Sequence, residues 1–136
     1  MNKMFVISIA VVALAVALAL VVVLGSKKTS FESVSPEVFS SRMSEGTDVQ
    51  LVDVRTAEEF AEGHLAGAIN VDVKQADFLS KAQSQLDADK TVFVYCRSGR
   101  RSADAAGQLA KVGYKVVDMS GGILEWMEKG LETTKE

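Results

Sequence analysis

The 136-residue chain has one cysteine, one histidine and one proline, and its net charge is −3. Each scarcity closes off a class of function. One cysteine cannot form an intramolecular disulfide, and one cysteine with one histidine cannot build a zinc site, so neither a metal nor another cofactor is expected. The acidic balance deepens once the N-terminal segment with Lys3 is set aside. It argues against general binding of nucleic acid, or of an anionic membrane, by the surface of the domain. No internal repeat occurs, and no low-complexity tract lies outside the N-terminal run. Aliphatic and charged residues mix at ordinary globular levels, which argues against disorder.

Charge is missing altogether from residues 4–24, where Ser8 is the only polar side chain. At a rise of ~1.5 Å per residue such a run spans about the ~30 Å of a bilayer core. No polar face interrupts it, as one would in a soluble amphipathic helix. The expectation is a hydrophobic membrane anchor or signal-anchor over residues 1–25, followed by a polar linker over 26–34. The alternative is a cleaved signal peptide. Against it, the apolar run is long for a signal core, and Ala17-Leu-Ala19 lies inside the run. Lys3 flanks one side and Lys27 and Lys28 the other, so the charge rule is nearly balanced. The very short tail before the run favours a signal-anchor with the domain outside the cytoplasm, in the periplasm.

Beyond the linker, apolar runs alternate with helical patterns. Ser35-Pro36-Glu37 gives an N-cap, a first-turn proline and a first-turn acid, so a helix is expected to about Ser44. Val49–Val54 reads as a strand buried on both faces. Thr56 with Glu59 forms a capping-box pattern for a helix over Ala57–Glu62. A short strand over Ala68–Val73, a helix over Gln75–Leu86 and a central strand over Thr91–Tyr95 follow. A helix then runs to Gly113, a C-cap glycine with Tyr114 packing behind it. Lys115–Met119 is a strand and Ile123–Lys129 the last helix. This βα order implies an α/β fold, a parallel sheet with helices on both faces over residues 35–132, with a polar tail at 133–136. Sites in such sheets form beyond the carboxyl ends of the strands, where Asp53, Cys96 and Asp118 fall.

The single cysteine ends the most strand-like run, in Tyr95-Cys96-Arg97-Ser98-Gly99-Arg100-Arg101-Ser102. Gly99 permits tight curvature, and Ser102 can begin the next helix. Such a loop turns successive amides inward, an anion nest that favours negative charge on an atom it surrounds. The arginines add planar donors suited to sulfonate, sulfate or phosphate oxygens. Thiolate, nest and guanidinium together suit attack on an anionic substrate through a covalent cysteine intermediate. An inert buried cysteine is the plainer alternative, but three arginines and a glycine make a poor apolar environment for one.

Four stretches in order extend the pattern. They are Leu51-Val-Asp53-Val-Arg55 with Glu59-Phe60, Gly63-His64-Leu-Ala-Gly67-Ala68-Ile-Asn70, the Cys96–Ser102 loop, and Gly121-Gly122-Ile-Leu-Glu-Trp126 with Gly130. Together they resemble the rhodanese-like, or sulfurtransferase, family over about residues 31–132. Ala66 stands where that family often has proline, and Leu131-Glu132 replace a frequent closing proline. The resemblance implies the rhodanese-like fold with a parallel sheet of about five strands. It implies that Cys96 takes a sulfane sulfur from a donor such as thiosulfate, becomes a persulfide and passes the sulfur to a thiol or cyanide. Amides from Arg97 through Ser102 would cradle the terminal sulfur, and Arg101 with Arg97 or Arg100 would bind the donor's sulfonate end. Some members lack the cysteine and only bind partners, so a non-catalytic binding module is one alternative. Cysteine phosphatases and arsenate reductases of the same fold use Cys-x5-Arg, whereas Arg101 here makes Cys-x4-Arg, a tighter loop that suits one sulfur atom.

Asp53 and Arg55 are secondary site candidates, better read as an ion pair or cap that fixes loops framing the site. His64 reads as a loop-fixing hydrogen-bonder, since a thiolate already stabilised by its nest needs no general base. Trp126 reads as core or rim packing. The acids of residues 57–62 read as a solvated helix face.

Overall fold

In a computed structural model, residues 11–13, 30–46 and 48–136 are described. The expected span at 4–24 lies outside the described residues, except that residues 11–13 are helical and exposed. Among the described residues no helix is long and apolar enough to cross a membrane.

The elements run β1 (Glu32–Val34), α1 (Pro36–Glu45), β2 (Gln50–Asp53), α2 (Ala57–Glu62), β3 (Ile69–Asn70), α3 (Phe78–Gln85), β4 (Val92–Tyr95), α4 (Arg100–Lys111), β5 (Val116–Met119) and α5 (Gly122–Glu128). All strand pairs are parallel, in the order β1-β5-β4-β2-β3. The central β4 is buried along its whole length, as its unbroken apolar run requires.

Alternation along the strands divides the core into two layers. Val92, Val94 and Cys96 face one way with Val52, Val54 and Val116, under Phe78 and Ala82 of α3 and Ala105, Ala106 and Leu109 of α4. Phe93 and Tyr95 face the other way with Leu51, Val117 and Met119, under Phe39 of α1 and Ile123 and Trp126 of α5. Phe39 and Phe93 meet edge to face at 5.3 Å. Trp126 is core, with its indole N–H donating to the Glu132 carbonyl at 3.0 Å.

Local signals behaved as their chemistry dictates. Ser35 accepts from the Val38 amide at the start of α1. Thr56 and Glu59 form the reciprocal capping box of α2. After α4, Gly113 takes a φ of +101° and its N–H donates to the Ala110 carbonyl, while the Tyr114 N–H donates to Leu109. That bond pair is the Schellman arrangement.

Four expectations shift. Glu32–Val34, read as linker, is an edge strand paired with Val117–Met119. Its polar alternation hid a partner that lies far along the chain. The third strand shrinks to Ile69–Asn70, and α3 begins at Phe78 because Gln75–Phe78 closes a turn through the Phe78 amide and the Gln75 carbonyl. Residues 133–136 are not a free tail: His64 and Thr134 exchange two backbone hydrogen bonds of 2.8 Å. The helix after the cysteine starts at Arg100, two residues before Ser102.

Candidate functional site

The chain reverses its direction of progress across the sheet between β4 and β2, and the crevice beyond their carboxyl ends is where such folds bind ligands. Cys96 follows β4 and Arg55 follows β2 at this place. The structure therefore brings the loop and the secondary candidates together.

Cys96 is 1% exposed, on the α4 side of the sheet. Gly99, at φ +103°, donates its N–H to Cys96 Sγ at 3.1 Å. The loop then passes straight into α4, with Gly99 at the N-cap. Ser102 is fully buried, and its hydroxyl donates to the Gly99 carbonyl at 3.2 Å. Arg97, Ser98 and Arg100 are exposed. Among the described residues, the amides of Arg97, Ser98, Arg101 and Ser102 donate to no backbone acceptor.

The other wall is the start of α5. The Ile123 N–H donates to the Cys96 carbonyl at 2.9 Å and the Leu124 N–H to the Arg97 carbonyl at 3.2 Å. Gly122 makes this approach possible. Its φ is +61°, and a Cβ there would sit 2.6 Å from the Cys96 carbonyl oxygen and collide with the Arg97 carbonyl. Gly121-Gly122, between β5 and the body of α5, is thus a backbone seat for the cysteine loop.

The three arginines separate into two kinds. Arg101 makes a bidentate pair with Glu59, at 2.7 and 2.8 Å. That pairing, with the capping bonds from Thr56, pulls the Glu59 carboxyl down to about 2. Hydrogen bonding to Glu59 likewise raises Arg101 above its usual value. Glu59 is therefore not part of a solvated face, and the Arg101 fork expected to take the donor is occupied from within the chain. Arg97 and Arg100 form no ion pair among the described residues.

Asp53 and Arg55 form a buried pair. Arg55 Nε and Nη2 donate to the Asp53 carboxylate at 2.6 to 3.0 Å, and Nη2 also donates to the Gly63 carbonyl. Burial opposes the Arg55 charge, but the Asp53 carboxylate outweighs it, so the guanidinium is held above its usual value. Tyr95 completes the network. Its hydroxyl donates to Asp53 at 2.7 Å and accepts from the Leu65 amide at 3.0 Å. Burial, then the Asp53 charge, raises the Tyr95 phenol. The sequence signal for Tyr95 was a hydroxyl-bearing side chain at the end of an otherwise apolar buried strand. His64 stacks on Phe60, and its ring nitrogens lie 2.8 Å from the carbonyls of Phe60 and Glu136, so it fixes loops. A cavity of about 220 Å³ borders the loop, lined by Arg97, Arg55, Glu59, Leu124 and Met127 among others, and the thiol is not in its wall. The described residues contain no cluster of side chains that could hold a metal ion.

The model of the rhodanese-like domain matches residues 35–129. The chain belongs to the rhodanese-like family. A sulfurtransferase of Allochromatium vinosum is 35% identical over 99 residues, covering 72% of this chain and 90% of the relative. Thiosulfate sulfurtransferase 16 of Arabidopsis thaliana is 39% identical over 92 residues, covering 60% and 77%. The crystal structure of a rhodanese-related protein from Thermoplasma volcanium aligns with a TM-score of 0.68 at 29% identity, covering 78% of this chain and all of that one. The rhodanese-like sheet expected from sequence is thus present, with its five parallel strands and helices on both faces.

Proposed function

We propose that the protein is a sulfurtransferase that carries a sulfane sulfur on Cys96. The observation that carries this reading is the Cys96 thiol with the Gly99 amide on its sulfur, in a loop whose Arg97 and Arg100 form no ion pair among the described residues. Family membership supports sulfurtransferase chemistry in general, and the loop supports the finer statement. In the first half-reaction the Cys96 thiolate attacks the outer sulfur of thiosulfate. The S–S bond of the donor breaks, sulfite leaves with its electron pair, and the enzyme holds Cys96–S–S⁻. In the second half, an acceptor thiolate or cyanide attacks the terminal sulfur, and Cys96 leaves as thiolate. An anion attacking a dianion is opposed by Coulomb repulsion. Arg97 and Arg100 supply the countercharge at the mouth, and the open amides of Arg97, Ser98, Arg101 and Ser102 receive the terminal sulfur.

A cysteine phosphatase needs a guanidinium to close its loop around a tetrahedral oxyanion. The Arg101 fork is spent on Glu59, which favours sulfur over phosphate. Thiosulfate treatment should add 32 Da, one sulfur atom, to Cys96 and release sulfite, and Cys96→Ser should abolish both. Wild-type protein that shows neither adduct nor turnover would leave a non-catalytic binding module. Aryl-phosphate hydrolysis lost in Cys96→Ser would return the phosphatase reading.

The uncharged run at 4–24 further supports attachment to a membrane, and an extracytoplasmic domain is the orientation proposed. Protease accessibility on intact cells tests this. Protection of the domain until the cells are lysed would reverse the orientation, and a soluble, shortened mature chain would return the cleaved-signal reading.

A further inference from the structure

We propose that the cavity between α2 and α5 is the acceptor subsite, that it takes a small thiol carrying both a carboxylate and an ammonium group, and that Arg97 with Arg55, and Glu62, set this preference. The inference rests on the sulfurtransferase reading and deepens it by giving the acceptor a chemical class.

The cavity, about 220 Å³, is walled by Glu59 and Glu62 of α2, by Leu124 and Met127 of α5, and by Arg55 and Arg97. Pockets for drug-sized ligands begin at ~300 Å³, so this one takes a smaller molecule. Its charged walls differ in what they have left to bind. Glu59 is held by both arms of the Arg101 fork. Arg55 is 5% exposed, and its Nε and Nη2 serve Asp53 and the Gly63 carbonyl. Its Nη1 donates to nothing among the described residues, and it is not sealed from solvent. A buried guanidinium with one free arm on a cavity is a donor already desolvated and already oriented. Arg97 and Glu62 are exposed and form no ion pair among the described residues.

The free groups are therefore two guanidinium donors and one carboxylate on a common space, with the apolar Leu124 and the 48% exposed Met127 beside them. An inorganic anion would use the arginines and find Glu62 opposed to it. A zwitterion uses all three: its carboxylate on Arg97 and the Arg55 Nη1, its ammonium on Glu62, its methylene against the α5 side chains. The cavity also ends close to the chemistry. Arg97 follows Cys96 in the chain, with their Cα atoms ~3.8 Å apart. A persulfide carries the reacting atom ~2 Å beyond Sγ, so a ligand seated at Arg97 needs only a short thiol arm. Its thiolate attacks the terminal sulfur, the S–S bond to Cys96 breaks, Cys96 leaves as thiolate, and the ligand departs as a persulfide anion. Sulfite has left by then, which frees Arg97 to serve the donor first and the acceptor second.

The test loads the full chain with saturating thiosulfate, removes the donor and follows unloading of the Cys96 persulfide by three thiols. They are L-cysteine, cysteamine, which lacks the carboxylate, and 3-mercaptopropionate, which lacks the ammonium. Each protein is read as ratios of second-order rate constants, and ratios are compared between variants, so differences in thiol acidity and in the persulfide cancel. Glu62→Gln should lower the ratio of L-cysteine to 3-mercaptopropionate about fivefold, and Arg97→Ala should lower that of L-cysteine to cysteamine by a similar factor. Both side chains are exposed, and substitutions of this kind leave a fold intact. A second readout needs no sulfur transfer. On titration with S-methyl-L-cysteine, which cannot accept sulfur, the amide NMR signals of Gly63, Arg97 and Leu124 should shift in the wild type and respond less in Glu62→Gln. A ratio that stays at its wild-type value in either variant would overturn the proposal and leave sulfur transfer standing. If the wild type forms no persulfide, the sulfurtransferase reading fails, and the titration decides the cavity by itself: amide signals that do not move would sink the zwitterion site.

Discussion

Glu59 holds Arg101 through two short hydrogen bonds, and the pairing gives the carboxyl a value of about 2 in the folded protein. An unfolded chain would titrate it near ~4.3. The folded value is the lower one, so the pair contributes its full stability above the unfolded value and loses it as pH falls toward 2. Both side chains are partly solvated, which limits the gain. Glu59→Gln is expected to cost about 1 kcal/mol or less at neutral pH. Denaturant unfolding of the two proteins should show that difference shrinking below pH ~4.3 and vanishing near the folded value. The same pairing divides the arginines by kinetic signature. Arg97→Ala and Arg100→Ala should each raise the thiosulfate KM several-fold, by about 1 kcal/mol of lost donor binding. Arg101→Ala should instead lower the unfolding midpoint and leave KM nearly unchanged. Steady-state kinetics on the three variants checks the division, and a KM rise confined to Arg101→Ala would reverse it.

At the scale of elements, α5 supports the loop more directly than its sequence suggested. Gly122→Ala would place a methyl group against the carbonyls of Cys96 and Arg97 in a left-handed backbone. A loss of about 2 kcal/mol or more is expected, with slower persulfide formation, because the loop itself must move. Urea unfolding and the adduct rate measure both. Here the limits of sequence reading are plain. The Ser35 cap, the Thr56–Glu59 box and the Gly113 stop were legible because both partners lie within a turn of each other. The unbroken apolar run of β4 was legible because burial on both faces demands it. Strand β1 was not, since Glu32-Ser33-Val34 has no apolar face and is recruited by β5 some 85 residues on, the separation of Ser33 from Asp118. The Arg101–Glu59 pair, 42 residues apart, was hidden for the same reason, and so the residue chosen to hold the donor was assigned without knowledge of its partner.

Across the whole molecule, one buried network fastens the switch point. Asp53 ends β2, Tyr95 ends β4, and Arg55 reaches the Gly63 carbonyl, while Asn70 of β3 donates to the carbonyls of Asp53 and Arg55. Removing one member leaves the others buried and unpaired. Arg55→Leu is expected to cost about 3 kcal/mol or more, with Asp53 stranded. Tyr95→Phe should cost about 1–3 kcal/mol through the orphaned Leu65 amide and the lost bond to Asp53. Chemical denaturation of both variants tests the order of these losses, and an Arg55→Leu protein as stable as wild type would show that the network only decorates the crevice.

The grip of α5 on the loop has a dielectric consequence. A trans peptide is planar, with its C=O and the following N–H pointing in opposite directions. With the Cys96 and Arg97 carbonyls turned toward Ile123 and Leu124, the N–H groups of Arg97 and Ser98 must point away from α5. These dipoles are therefore aimed before any anion arrives. During a cycle the negative charge would move by about one S–S bond, ~2 Å, outward when sulfur is loaded and back when it leaves. A solvent shell would have to reorient each time. A loop whose carbonyls are already bonded to a helix has little left to reorient, so the reorganisation energy of sulfur transfer is set when the chain folds.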